Sequence, residues 1–126
     1  LEHQDILGYL EKSSKKFDLF LCADVLVYTG NLDEIFYKVS VNSNTNARFC
    51  FSVEKSDNVE FLLTKIGRYA HSKQYIYNLS KKYNFITEAC DETEIRSESN
   101  VSINGYIFIL KKIRSGDQGK RKGSSN

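Results

Sequence analysis

Residues 17–28, FDLFLCADVLVY, constrain the fold more than any other stretch. From Phe17 to Ala23 only Asp18 is polar, and a short continuous apolar run reads as a strand covered on both faces, as in a parallel sheet. A carboxylate, Asp24, then closes the run. In open α/β sheets ligands sit outside the carboxyl ends of the strands, so a polar residue at that point is a candidate site residue. The alternative is that Asp24 caps the turn, since Asp is common wherever a strand gives way to a loop.

The segments that follow support an α/β reading. Residues 31–41, NLDEIFYKVSV, offer Asn31 as N-cap, Asp33 and Glu34 in the first turn, and Leu32, Ile35, Phe36 and Val39 on one face, the pattern of a crossover helix. NSNTN at 42–46 breaks that pattern, and ARFCFSVE at 47–54 predicts a second strand ending in Glu54. Strand, helix and strand make a βαβ unit. Residues 72–83, SKQYIYNLSKKY, predict a second helix with Ser72 as N-cap and Tyr75, Ile76 and Leu79 as its apolar stripe. FITEACDETEIR (85–96) and SINGYIFILKK (102–112), joined by the polar SESNV, predict an antiparallel pair that ends the sheet. Upstream, QDILGYLEK (4–12) places Ile6, Leu7 and Leu10 at helical spacing.

With 126 residues, 40% hydrophobic and 27% charged, the chain is sized for one domain of ordinary globular composition. No run approaches the roughly 18 apolar residues of a membrane span, and Glu2 and Asp5 near the start do not resemble a signal peptide, so a cytoplasmic, soluble protein is expected. Three well-separated cysteines, Cys22, Cys50 and Cys90, with two histidines and no CxxC pair, argue against a disulfide framework or a zinc site. Cys22 and Cys50 lie in apolar runs, where a reduced thiol serves as a small hydrophobe. The formal charge of +2 conceals an asymmetry: residues 111–126 hold six basic residues and one acidic, a net of +5, leaving −3 for residues 1–110. The tail from 113 to 126 has no apolar periodicity and reads as disordered; basic tails can touch phosphates, but a solvated terminus is the favoured reading over nucleic-acid contact. The sequence holds no methionine and opens on Leu1, which leads to the expectation of a piece of something longer.

The order helix, FDLFLCADVLVY, helix, ARFCFSVE, helix, strand, strand resembles the C-terminal half of class I S-adenosylmethionine-dependent methyltransferases. Phe17, Asp18, Ala23, Asp24 and Tyr28 match that family's fourth-strand motif. FSVE (51–54) and GRYAHS (67–72) are similar to the predicted methyltransferases that follow tetratricopeptide repeats, and the resemblance spans about residues 1–112. It implies a partial Rossmann-like methyltransferase sheet and S-adenosylmethionine as cofactor, with no metal. By the same resemblance, the Asp5 carboxylate and the Ile6 N–H would meet the adenine. The backbone at Cys22 and Ala23, with the Asp24 carboxylate, would lie beside the methionine part, whose ammonium favours carbonyls and a carboxylate. Tyr28 would face the methyl-transfer side. GRYAHS falls where the family builds its substrate pocket, and it is expected to put Arg68, Tyr69 and His71 in one short loop. Arg68 and Tyr69 are the candidate acceptor contacts, and Arg68 could equally pair with a surface carboxylate. His71 is the candidate base, weighed against a capping or packing role.

One element of the family is not found. The glycines at 8, 30, 67, 105, 116, 119 and 123 form no GxGxG turn after a strand, and the acidic residue expected for the ribose is also missing. Two function classes follow. In one, the chain is the C-terminal part of a methyltransferase, completed by an N-terminal half or by self-association and acting on an unidentified acceptor. In the other, it is a non-catalytic module that binds a partner through an open sheet edge or nucleic acid through its tail.

Overall fold

The apolar run beginning at Phe17 forms a strand, β1 (Phe17–Cys22), and the rest of the chain builds outward from it in a computed structural model. The structure describes residues 16–22, 26, 29–57, 59–64 and 67–114. The expected helix at 4–12 and the tail beyond 114 lie outside them. After β1 come α1 (Asp33–Val41), β2 (Ser43–Lys55), β3 (Phe61–Leu63), β4 (Tyr69–His71), α2 (Lys73–Lys82), β5 (Phe85–Glu98) and β6 (Val101–Lys112).

Strand β2 organises the sheet, whose order is β3-β4-β2-β6-β5 with β1 also paired to β2. β1 runs parallel to the first part of β2, from Phe17 beside Ser43 to Cys22 beside Phe51. β4 runs parallel to its end, with Ala70 beside Glu54 and His71 beside Lys55. β6 pairs antiparallel with β2 from Arg48 to Glu54 and so occupies its opposite edge. β1 and β4 therefore share one edge of β2, β1 along its first part and β4 at its end.

Both helices lie on one face of the sheet. Ile35, Phe36 and Val39 of α1 and Tyr75, Ile76 and Leu79 of α2 pack against Phe20, Phe49, Phe51, Val53, Phe85, Phe108 and Leu110. Phe36 is the hub, edge-on to Phe49, Phe51 and Phe85 at centroid distances of 5.4, 5.9 and 6.2 Å. Such aromatic contacts add to the area each ring buries. No described helix covers the opposite face, and there Leu19, Leu21 and Ile107 stay 54%, 66% and 42% exposed. The expectation that FDLFLCA is buried on both faces holds here for one face only.

Three boundaries differ from the sequence reading for physical reasons. NSNTN does not break the chain. β2 starts at Ser43, with Asn46 at φ 73° in the left-handed region that Asn tolerates, beside the register irregularity between Phe17 and Leu19. Helix α1 starts one residue later than an Asn31 cap implies: Leu32 is the cap residue, and the Asn31 Oδ1 accepts the Asp33 N–H at 2.9 Å. GRYAHS is not one loop. Gly67, at φ 83°, turns the chain between β3 and β4, and Tyr69–His71 are strand residues opposite Phe61–Leu63. The Ser72 cap is as expected, its Oγ accepting the Tyr75 N–H at 3.1 Å. The last two strands meet in a two-residue turn with Ser99 at φ 50° and Asn100 at φ 66°, the left-handed pair of a type I′ hairpin. No described helix is long and apolar enough to cross a membrane.

Candidate functional site

The carboxyl ends of the two parallel strands β1 and β2 meet β4, the start of α2 and the loop that leads into α1. Of the residues singled out in the sequence, Cys22, Arg68, Tyr69 and His71 lie in this region. Asp5, Ile6, Ala23, Asp24 and Tyr28 lie outside the described residues.

Cys22 ends β1 on the helix-facing side and is 1% exposed. Burial pushes its thiol up to about 11, so it stays protonated and packs as a hydrophobe. Beside it a hollow of about 420 Å³ opens on the other face of the sheet, bordered by Leu21, Cys50, Phe51, Ile95 and Ile107.

Glu54, at the end of β2, is buried with its carboxylate between two guanidinium groups. Its Oε2 accepts from the Arg68 Nε at 2.7 Å and from the Arg96 Nε at 3.0 Å. Arg68 reaches it from the β3–β4 hairpin. Arg96 reaches it from β5, where the register irregularity between Glu94 and Arg96 changes the alternation of side chains. Arg68 is thus held by a buried carboxylate rather than a surface one. The sequence could not announce Arg96, because a strand residue acquires its facing from the bulge beside it.

His71 has no exposed surface. Its Nε2 lies 2.9 Å from the Thr29 carbonyl oxygen and 3.0 Å from that of Gly30. Both partners are acceptors, so Nε2 carries the proton. Burial lowers its basicity, partly offset by those two carbonyls and by the charge of Glu54. Tyr75 stacks parallel to the imidazole at 6.1 Å, and its hydroxyl accepts the Leu32 N–H at 2.9 Å. Tyr75 read only as part of an apolar stripe; its hydroxyl contact crosses 43 positions and leaves no local trace. A hollow of about 490 Å³ lies at the Glu54 carboxylate, lined also by Lys55, Thr64, Ala70 and Asn104.

Comparison with known proteins gives structural likeness without sequence likeness. No protein-family profile and no curated protein sequence matches the chain. A methyltransferase from Methanosarcina mazei, described as SAM-dependent, superposes with a TM-score of 0.66 at 12% identity, covering 82% of this chain and 64% of that one. The 1,6-didemethyltoxoflavin-N1-methyltransferase of Burkholderia thailandensis, solved with bound 1,6-didemethyltoxoflavin and S-adenosylhomocysteine, gives 0.65 at 12% identity, covering 83% and 48%. The N-methyltransferase NodS of Bradyrhizobium japonicum, bound to S-adenosylhomocysteine, gives 0.63 at 13%, covering 87% and 52%. The fold is that of the class I S-adenosylmethionine-dependent methyltransferases. The chain spans about half to two thirds of the length of these solved structures.

Proposed function

We propose that this chain is the C-terminal part of an S-adenosylmethionine-dependent methyltransferase of the kind that follows tetratricopeptide repeats. The observation that carries the reading is the parallel β1–β2 pair, whose carboxyl end abuts the β4–α2 segment in a fold shared with methyltransferases solved with S-adenosylhomocysteine. The described residues fit one flank of such a cofactor. Cys22, buried at the carboxyl end of β1, gives that flank a dry, apolar wall of the kind a sulfonium methyl donor requires. When bound, the cofactor supplies an electrophilic methyl group.

In this reading the Cys22 and Ala23 backbone and the Asp24 carboxylate hold the methionine ammonium, while Asp5 and Ile6 meet the adenine. Tyr28 faces the methyl-transfer side, and Arg68 and Tyr69 border the acceptor pocket. The glycine-rich turn comes from elements that dock along the free edge of β1 and over Leu19, Leu21 and Ile107. Support for that docking comes from the 54% and 66% exposure of two leucines in a strand whose sequence is apolar on both faces, and from the greater length of the matched structures.

Calorimetric titration with S-adenosylhomocysteine tests the reading, since this product analogue requires no knowledge of the acceptor. Saturable binding that Asp24→Ala removes is the expected result. A folded chain that binds none, alone or joined to a segment carrying a glycine-rich turn, refutes it. The same exposed edge favours a second reading, a docking module without catalysis. In that case the wild type associates in sedimentation experiments, Leu21→Lys abolishes association, and no cofactor binds under any condition.

A further inference from the structure

We propose that His71 is a positioning residue that latches residues 29–32, which lead into α1, and that it is not the proton acceptor of the reaction. The latch stands on contacts in the structure; its bearing on methyl transfer rests on the reading above.

Four side chains from β3, β4 and α2 converge on residues 29–32. The His71 Nε2–H is shared between the Thr29 and Gly30 carbonyls. The Tyr75 hydroxyl takes the N–H of Leu32, the cap residue of α1. Phe61 and Tyr69 close on Gly30 so tightly that a Cβ there would lie 2.6 Å from the Phe61 Cδ1 and 2.7 Å from the Tyr69 Cε1. Only glycine lets the loop backbone come this close to the rings. In sequence, residues 29–32 come immediately after Tyr28 and five positions after Asp24, which is why a fixed backbone here bears on the proposed site.

The same geometry argues against a base. A general base must reach the proton it removes. Here Nε2 is engaged by backbone carbonyls, and Nδ1 is sealed from solvent with no hydrogen-bond partner among the described residues. A side chain held in this way fixes backbone.

Two substitutions at one position separate the roles. Gln carries an amide N–H the same number of bonds from Cβ as the His Nε2, whereas Phe keeps a ring and removes the donor. The readout is amide hydrogen exchange in residues 29–34 under native conditions, which needs neither cofactor nor acceptor. His71→Phe should speed exchange about tenfold, the scale of one lost buried hydrogen bond, and His71→Gln should stay within about threefold of wild type. Tyr75→Phe, which deletes one hydroxyl and keeps the ring, should speed exchange at Leu32 and covers the case in which a His71 variant does not fold. Nitrogen-15 spectra of the wild-type imidazole should show the neutral Nε2–H tautomer. Unchanged exchange in a folded His71→Phe, or an Nδ1–H tautomer, overturns the latch. If exchange responds as stated while S-adenosylhomocysteine fails to bind, the latch stands and the methyltransferase reading falls. Where cofactor binds, His71→Gln should retain most of the affinity that His71→Phe loses, a rescue that a base would not give.

Discussion

Replacing Glu54 by Gln removes the negative charge of the carboxylate that bridges Arg68 and Arg96, with almost no change in shape. The Glu54 side chain is 4% exposed, and those of the two arginines are 14% and 20% exposed. Removing one partner from a buried ion pair costs about 3–5 kcal/mol, because the charge left behind is poorly solvated. Two features lower the figure here. The arginines retain some access to water, and the Gln amide oxygen still accepts one of the two N–H groups, so the expected loss is about 2–3 kcal/mol. For a chain whose total stability is on the order of 10 kcal/mol, that is about a quarter. Urea unfolding followed by far-ultraviolet circular dichroism and tyrosine fluorescence measures it, with the midpoint falling and the slope unchanged. The cost should persist in 0.5 M sodium chloride, since buried pairs are weakly screened. A loss below about 1 kcal/mol, or one that salt abolishes, would mean that the triad behaves as a solvated surface bridge, which is worth little.

Gly105 lies on β6 opposite Glu54, where an added Cβ would collide with the Val53 carbonyl oxygen and lie 2.6 Å from the Ile95 Cδ1. Ile95 can turn aside but the sheet backbone cannot, so Gly105→Ala should cost about 3 kcal/mol and lower the thermal midpoint by about 10 °C in a dichroism melt. Rebuilding the hairpin tip as Asn-Gly (Ser99→Asn with Asn100→Gly) places the preferred residues at two positive-φ positions, and should raise stability by about 1 kcal/mol in urea titrations. His71 is less basic folded than unfolded, chiefly through burial, so both states are neutral above its ordinary pKa of 6.5 and its contribution is then complete. As pH falls from 6.5 through the lowered value, the unfolded chain binds the proton first and stability declines. Urea midpoints at pH 7.5 and 5.5 should differ in the wild type, and the difference should shrink in His71→Gln.

The elements legible in the sequence are those whose signal is local. Phe17–Cys22 and the stripes of Ile35, Phe36 and Val39 and of Ile76 and Leu79 carry their own period, and Ser72 carries its own cap chemistry. β3 and β4 were not legible because each is three residues long and exists only by pairing: β4 borrows the last two positions of β2, and β3 borrows β4. The same distinction separates the site residues. The arrangement at Glu54 needs a bulge in β5 to bring in Arg96, and His71 acquires its role from carbonyls more than forty positions away. A sequence pattern can propose that a histidine matters; only the fold says which of its nitrogens is left to act.

The one-sided burial of β1 ties the fold to the proposed function. A strand whose Phe20 and Cys22 are buried while Leu19 and Leu21 stand in solvent has half the cover that its composition calls for. The helices α1 and α2 already fill the other face, and β2 already takes one edge. What remains among the described residues is an apolar face and an edge that no described strand pairs, at the strand whose carboxyl end leads in sequence to Asp24. A segment added there would cover Leu19 and Leu21, remove an aggregation-prone edge, and bring its own strand end alongside Asp24. Association and cofactor binding should therefore respond together. Leu21→Lys, which touches no proposed cofactor contact through its side chain, should weaken S-adenosylhomocysteine binding in any completed form of the protein. Full affinity in that variant would mean that the exposed face of β1 and the cofactor site are independent.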